Sequence, residues 1–230
     1  MVVRKQDWAQ LVSVMAVTGA ISALVRRRRR RALSLVGVAV AVDALGRRWS
    51  REDPGPLPYA LRWVLAVPRP GAPLLRALEP RPGERILEIG PGLGQQAVQM
   101  ATAVGADGRV DVLDVQQGML DATVRRAERD GIRNVVPALA DASGRLPYED
   151  ASFDGAYLMS VLGEIPDREQ ALRELRRVLK PEGRLVVGEM AADPDFVSAR
   201  RLSTMADTAA FRLDRRFGPP FAYHARFVAR

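Results

Sequence analysis

The 230-residue chain contains no cysteine and a single histidine, His224. Without thiols it forms no disulfide, builds no thiolate metal site and has no sulfur nucleophile. One imidazole does not make a His-rich metal centre, so no metal is expected. Acidic residues are scarce at both ends. Residues 1–53 hold 11 basic against 4 acidic side chains, and residues 196–230 hold 7 against 2. The stretch between them, 54–195, reverses the balance with 17 basic and 21 acidic. The net charge of +8 therefore belongs to the flanks, and the body is mildly acidic. With no interleaving of aromatic and basic residues along that body, a nucleic-acid partner is not expected. The length suits one α/β domain plus an appendage.

The most informative stretch is Arg85-Ile86-Leu87-Glu88-Ile89-Gly90-Pro91-Gly92-Leu93-Gly94-Gln95. A short apolar strand carries a carboxylate near its end and runs into three alternate glycines, with helix-forming residues behind them. Glycine removes Cβ where a backbone turns sharply and a ligand lies against it. The following helix aims its unpaired N–H groups at that turn. The dinucleotide fingerprint Gly-x-Gly-x-x-Gly begins in the same way, but here the third glycine comes one residue early. A phosphate gains nothing from a carboxylate two residues before the first glycine, whereas a ligand with an ammonium and a sulfonium is attracted to it.

Downstream, Arg109–Asp114 reads as a second strand ending in an acid, about twenty residues on, where a carboxylate accepts hydrogen bonds from ribose hydroxyls. Ala140-Asp141-Ala142 ends a third strand. Leu146–Asp154 leads into a fourth, and Arg177–Leu185 is a helix followed by a Pro-Gly turn into a fifth. In these ordered segments, over roughly residues 75–190, the chain resembles the class I S-adenosylmethionine-dependent methyltransferases, in particular the broad ubiquinone/menaquinone-biosynthesis-type group. The resemblance implies a Rossmann-like, doubly wound sheet of seven strands, parallel except for the last, with S-adenosylmethionine as cofactor. It assigns Glu88 to the methionine end of the cofactor, Gly90, Gly92 and Gly94 to close backbone approach, and Asp114 to the ribose. Val115 and Met119 would pack by the adenine, Asp141 and Ala142 on its edge, with Ser160 at the end of the fourth strand in the same cleft. The absence of cysteine separates the chain from arsenic methyltransferases, which depend on cysteine ligands.

Alternation of strands 85–89, 109–114, 135–140, 153–158 and 184–189 with helices 95–104, 116–130 and 167–179 independently predicts a parallel α/β sheet. Two β-rich runs, 211–216 and 221–228, separated by Gly218-Pro219-Pro220, predict a hairpin at one edge. Methyl transfer asks the protein for alignment, exclusion of water and sometimes removal of a proton, so the lack of a catalytic triad is no objection. Glu164, after the fourth strand, is the candidate general base. Its alternative is to cap or salt-bridge the helix starting near Asp167. His224 reads as structural, and Glu174, Arg176 and Arg177 as a solvated face with internal ion pairs.

Two domains are expected: a basic, apolar N-terminal helical extension, 1–53, and the methyltransferase domain, 54–230. Trp8 to Val25 is uncharged for eighteen residues and is followed by six arginines, Arg26–Arg31, then by a second apolar stretch, Ala32–Leu45. Three readings stay open. The first stretch spans a bilayer with the arginines cytoplasmic; both stretches lie on an anionic membrane surface; or both are helices of a soluble protein. A cleaved signal peptide is not expected, because the charged run follows the apolar one. Membrane contact through residues 8–45 and a cytoplasmic catalytic domain fit where the methyl donor is made. Tyr59 and Trp63 stand ahead of the first strand as candidates for an acceptor lid or for core packing. The expected function is methyl transfer to a small, apolar or lipid-like acceptor. Its alternatives are an inactive, membrane-tethered binding module of the same fold and an NAD-dependent oxidoreductase.

Overall fold

The computed structural model describes residues 71–230. The N-terminal extension, residues 54–70 and with them Tyr59 and Trp63 lie outside the described residues. Seven strands form one sheet: β1 (Arg85–Ile89), β2 (Arg109–Asp114), β3 (Val135–Leu139), β4 (Phe153–Met159), β5 (Leu179–Met190), β6 (Phe211–Phe217) and β7 (Ala222–Ala229), in the order β3-β2-β1-β4-β5-β7-β6. Strands β1 to β5 pair in parallel, and β7 lies antiparallel to both β5 and β6. The terminal hairpin thus folds β7 inward between β5 and β6, leaving β6 at the edge. Composition explains the choice. The residues of β7 are nearly all buried or half-buried, while β6 exposes Arg212 through Arg216.

Among the described residues five α-helices cover the sheet. On one face α1 (Ala72–Leu78), α2 (Gln95–Val104) and α3 (Gln117–Arg129) place Leu74, Leu78, Met100, Val104 and Leu120 against Ile86, Val110, Val112, Tyr157 and Val186. On the other, α4 (Arg168–Val178) and α5 (Ala199–Thr208) pack Leu172, Leu175, Leu202 and Met205 against Leu87, Leu158, Leu185 and Phe227. Helix α4 shows how local sequence sets this. Asp167 caps it by accepting from the Gln170 N–H at 2.9 Å. Ala171, Leu172, Leu175 and Val178 then fall on one stripe, each buried leucine contributing roughly 2 kcal/mol.

The expected strands and helices appear with ends shifted by a few residues at most, apart from β5. That strand begins at Leu179 and carries an irregularity, so its register jumps from Phe153↔Leu179 to Gly155↔Arg184. Helix α5 was not expected from the sequence. Its apolar stripe is short (Leu202, Met205, Ala206), and Ser198 caps it through the Arg201 N–H.

The reading of Glu174 and Arg177 as a solvated face is corrected. Glu174 is buried, accepts from the Leu146 N–H at 2.9 Å and pairs with Arg177 at 2.6 Å. Arg177 also donates to the carbonyls of Tyr148 and Leu146, so the pair fastens the loop into β4 onto α4.

Candidate active site

The parallel strands all end on one side of the sheet, and Glu88, Gly90, Gly92, Gly94, Asp114 and Ser160 lie at or just past those ends. Glu88 lies within the last turn of pleat in β1, opposite Tyr157 of β4, and is buried. Burial and the neighbouring carboxylate push the Tyr157 phenol well above its usual pKa. The chain then turns through Gly90, Gly92 and Gly94, whose φ angles are +70°, +57° and +72°. Left-handed backbone at three alternate residues is available only to glycine at low cost. The turn is braced from behind by α3. Arg126 donates to the Leu93 carbonyl at 2.7 Å, and the Thr123 hydroxyl approaches the Gly92 carbonyl at 3.4 Å.

Asp114 ends β2 and is 8% exposed. It accepts the Gln116 N–H at 2.8 Å, and burial pushes its pKa up to about 6 against this backbone donation. The contrast with Asp111, three residues earlier on the same strand, is instructive. Asp111 is held by both Arg85 and Arg109, each through two hydrogen bonds of 2.7–3.1 Å. No cation among the described residues pairs with Asp114 in this way. One carboxylate is paired with two arginines inside the fold; the other stands at the carboxyl end of the parallel strands. Val115, beside it, is 45% exposed, an apolar wall next to a hydrogen-bond acceptor.

The remaining expected residues divide. Met119 is buried in α3 and Ala142 in the core on the other face of the sheet. Asp141 is exposed, its Oδ1 accepting from the Ser143 N–H and hydroxyl at 2.8 and 2.7 Å, which shapes the loop after β3. Ser160 follows β4 with a φ of +56° and donates its N–H to Gly188 of β5 at 2.8 Å. A non-glycine residue in that conformation is strained. Glu164 is half-buried in a 3₁₀ turn, Leu162–Glu164, beyond Ser160. The side chain that caps α4 is that of Asp167. His224 is half-buried opposite Gly188, and burial lowers its pKa.

One residue was missed. Glu189, one from the end of β5, is 4% exposed and held beneath the Val197 N–H at 3.2 Å, while its Oε1 is buried without a hydrogen-bond partner among the described residues. Burial pushes its pKa up to about 8. The signal was present. Leu185-Val186-Val187-Gly188-Glu189 is an apolar strand tipped by an acid, the same pattern that drew attention to Glu88 and Asp114.

The ubiE/COQ5 methyltransferase family matches residues 74–200, more than half of the chain. The chain belongs to the ubiE/COQ5 methyltransferase family. Two curated methyltransferases are among the proteins it is similar to. The ubiquinone/menaquinone biosynthesis C-methyltransferase UbiE of Vibrio cholerae is 32% identical over 145 residues, 63% of this chain and 54% of the relative. The 27-O-demethylrifamycin SV methyltransferase of Amycolatopsis mediterranei is 38% identical over 115 residues, 50% of this chain and 41% of the relative. The chain thus spans about half or less of the length of these curated relatives. In fold it is similar to a SAM-dependent methyltransferase from Aquifex aeolicus, with a TM-score of 0.69 at 19% identity over 75% of this chain and 99% of that one.

S-adenosylmethionine is the methyl donor of ubiE/COQ5 family members, and the strand-end residues fit it. A phosphate at the glycine turn would gain nothing from neighbouring carboxylates. Beside it stand the carboxylates of Glu88 and Asp114, while Arg126 of α3 donates to the Leu93 carbonyl of the turn. The left-handed glycines admit a ligand against the backbone, Asp114 offers oxygens to a diol, and Val115 offers an apolar wall to a base. No helix among the described residues is long and apolar enough to cross a membrane, and no cluster of them suits a metal ion.

Proposed function

We propose that this chain transfers a methyl group from S-adenosylmethionine to a small, apolar or lipid-like acceptor at the cleft end of β1, β2, β4 and β5. The observation that carries the reading is the pairing of a left-handed glycine turn with Asp114, a buried strand-end carboxylate that no cation neutralises among the described residues. When bound, S-adenosylmethionine supplies a methyl carbon activated by its sulfonium, and the displaced electron pair returns to sulfur. The chain's own part is placement. Gly90, Gly92 and Gly94 let the backbone approach, Asp114 accepts from the ribose hydroxyls, and Glu88 sets a negative potential under the cationic end. Ser160 and the Leu162–Glu164 turn stand on the acceptor side, where Glu164 or Glu189 is positioned to take the proton an acceptor hydroxyl or carbon loses.

An apolar acceptor is supported by the named role of one relative in ubiquinone/menaquinone biosynthesis and by the exposed apolar side chains Met190 and Phe221 at the cleft end. The two relatives' names denote methylation at carbon and at oxygen, so family membership leaves the atom methylated open. The apolar stretches at 8–45, which lie outside the described residues, support a placement on the cytoplasmic face of a membrane.

Calorimetry with S-adenosylmethionine and S-adenosylhomocysteine tests the cofactor half. Methyl-labelling of a lipid and metabolite extract tests the acceptor half. Binding without product on any fraction would favour the inactive binding module instead. The family match sets aside the NAD-dependent oxidoreductase, and strong binding of a dinucleotide with no affinity for S-adenosylhomocysteine would reverse that.

A further inference from the structure

Strand β6 runs in the same direction as β5, so the β6–β7 hairpin turns at the end of the sheet that carries Gly90 and Asp114. All four residues of its turn, Gly218-Pro219-Pro220-Phe221, are exposed, Phe221 by 64%. The Phe221 carbonyl accepts the Ala191 N–H at 2.7 Å, which places Met190, 49% exposed, beside the turn. By strand alternation Met190 and Phe221 project from opposite faces of this corner. Two large apolar side chains therefore crown one tip of the molecule, stiffened by two prolines.

The surround is basic. Arg215 and Arg216 precede Phe217 on β6 and are exposed, roughly 3–7 Å below the end of the strand. Arg200 and Arg201, also exposed, open α5 at the same end of the sheet. Four arginines outnumber the acids of the loop after β5, Asp193 and Asp195. Asp214 pairs with Arg226 at 2.6 Å, Asp193 caps the Asp195 N–H at 2.9 Å, and Glu189 is buried.

We propose that this corner docks on an anionic lipid surface, with Phe221 and Met190 at the acyl boundary and Arg200, Arg201, Arg215 and Arg216 among the headgroups. Apolar side chains at a rigid tip, ringed by cations set a few ångströms back, match the layering of a charged bilayer interface. The chain's own N-terminal extension is a poor occupant, since residues 1–53 carry 11 basic side chains against 4 acidic and would meet four arginines. Docking in this orientation turns the cleft toward the membrane. In that respect the inference rests on the methyl-transfer reading and deepens it, by delivering a lipid-resident acceptor to Ser160 and Glu164 without full release into water.

The absence of cysteine makes the test clean. Pro220→Cys and, at the opposite end of the sheet, Asp107→Cys each give the full-length chain a single site for an environment-sensitive fluorophore. Vesicles of phosphatidylcholine with about 30 mol per cent phosphatidylserine should shift the label at 220 to an apolar environment, quenched by brominated lipid. The label at 107 should stay in water. The Phe221→Ser/Met190→Ser double substitution should weaken partitioning about tenfold or more, and Arg215→Glu/Arg216→Glu should do so in low salt only. The proposal is overturned if the label at 220 stays in water while the chain co-sediments, if it is shielded before vesicles are added, or if neutral vesicles act equally. Titration of S-adenosylhomocysteine into the same labelled proteins reads the cofactor site separately. Intact binding there with a failed dock sinks the docking alone.

Discussion

A Cβ placed on Gly90 would stand 2.5 Å from Cγ2 of Val161, the residue that follows Ser160 beyond β4. The glycine turn and the loop after β4 are therefore packed on one another, and the first glycine of the motif answers to a protein neighbour. Gly94 shows the same thing more rigidly, since its Cβ would lie 2.8 Å from the Thr123 Cα of α3.

Gly90→Ala should destabilise the fold by about 2–3 kcal/mol, from left-handed strain plus the contact with Val161. Adding Val161→Ala should recover the steric part and leave the strain. Gly94→Ala should not be recovered by Thr123→Ser, because the clash is with backbone. Urea denaturation of the four variants measures this; full recovery of Gly90→Ala by Val161→Ala would mean the φ angle costs nothing.

Asp114 should trade stability for binding. Its folded pKa of about 6 exceeds the ordinary 3.8, so between those values the folded chain keeps a proton that the unfolded chain has lost. Stability of the cofactor-free chain should then fall as pH rises through that window, by up to about 3 kcal/mol. Affinity for S-adenosylhomocysteine should move the opposite way, rising with pH through about 6 as the carboxylate ionises. Asp114→Asn should raise the melting temperature at pH 7 and weaken the ligand roughly tenfold or more. Calorimetry across pH decides it; a flat affinity profile would remove Asp114 from the ribose.

Glu189, with a pKa near 8 against 4.5, follows the same sign. Stability should decline as pH rises from about 5 to 8 and stay low above it. Glu189→Gln preserves an acceptor for the Val197 N–H and should flatten that decline, leaving a protein more stable than the parent at pH 8.5. If Glu189 also takes the acceptor's proton, the variant's turnover should fall by about a hundredfold or more with cofactor affinity unchanged.

Ser160→Gly should relieve the left-handed strain at φ +56° and stabilise the chain by about 0.5–1 kcal/mol. Its turnover should drop, because the loop carrying Val161 and Glu164 gains freedom. A thermal melt beside a turnover assay tests the pair of expectations, and a variant that is both stabler and fully active would show that the strain has no functional purpose.

Much of the site was legible because it lies at strand ends, where a carboxylate or glycine interrupts an apolar run. Glu88, the three glycines and Asp114 are visible on that ground alone. Glu189 obeys the same rule and was passed over because the Gly188-Glu189 step resembles an ordinary strand exit. Helix α5 was hidden because its stripe is short and its remaining positions are polar. Glu174 looked solvated because a charge at helical spacing is usually exposed, and only the loop into β4 folded over it made it a buried partner of Arg177.

The amino-acid sequence determined which segments are strands, that they alternate with helices, and that acids and glycines meet at one end. These are local matters of period, turn chemistry and charge. Which hairpin strand lies beside β5, how far burial lifts Asp114 and Glu189, and that Phe221, Met190 and four arginines share one corner were decided by the tertiary structure. Each depends on neighbours distant in the chain, and desolvation and packing exist only once those neighbours are in place.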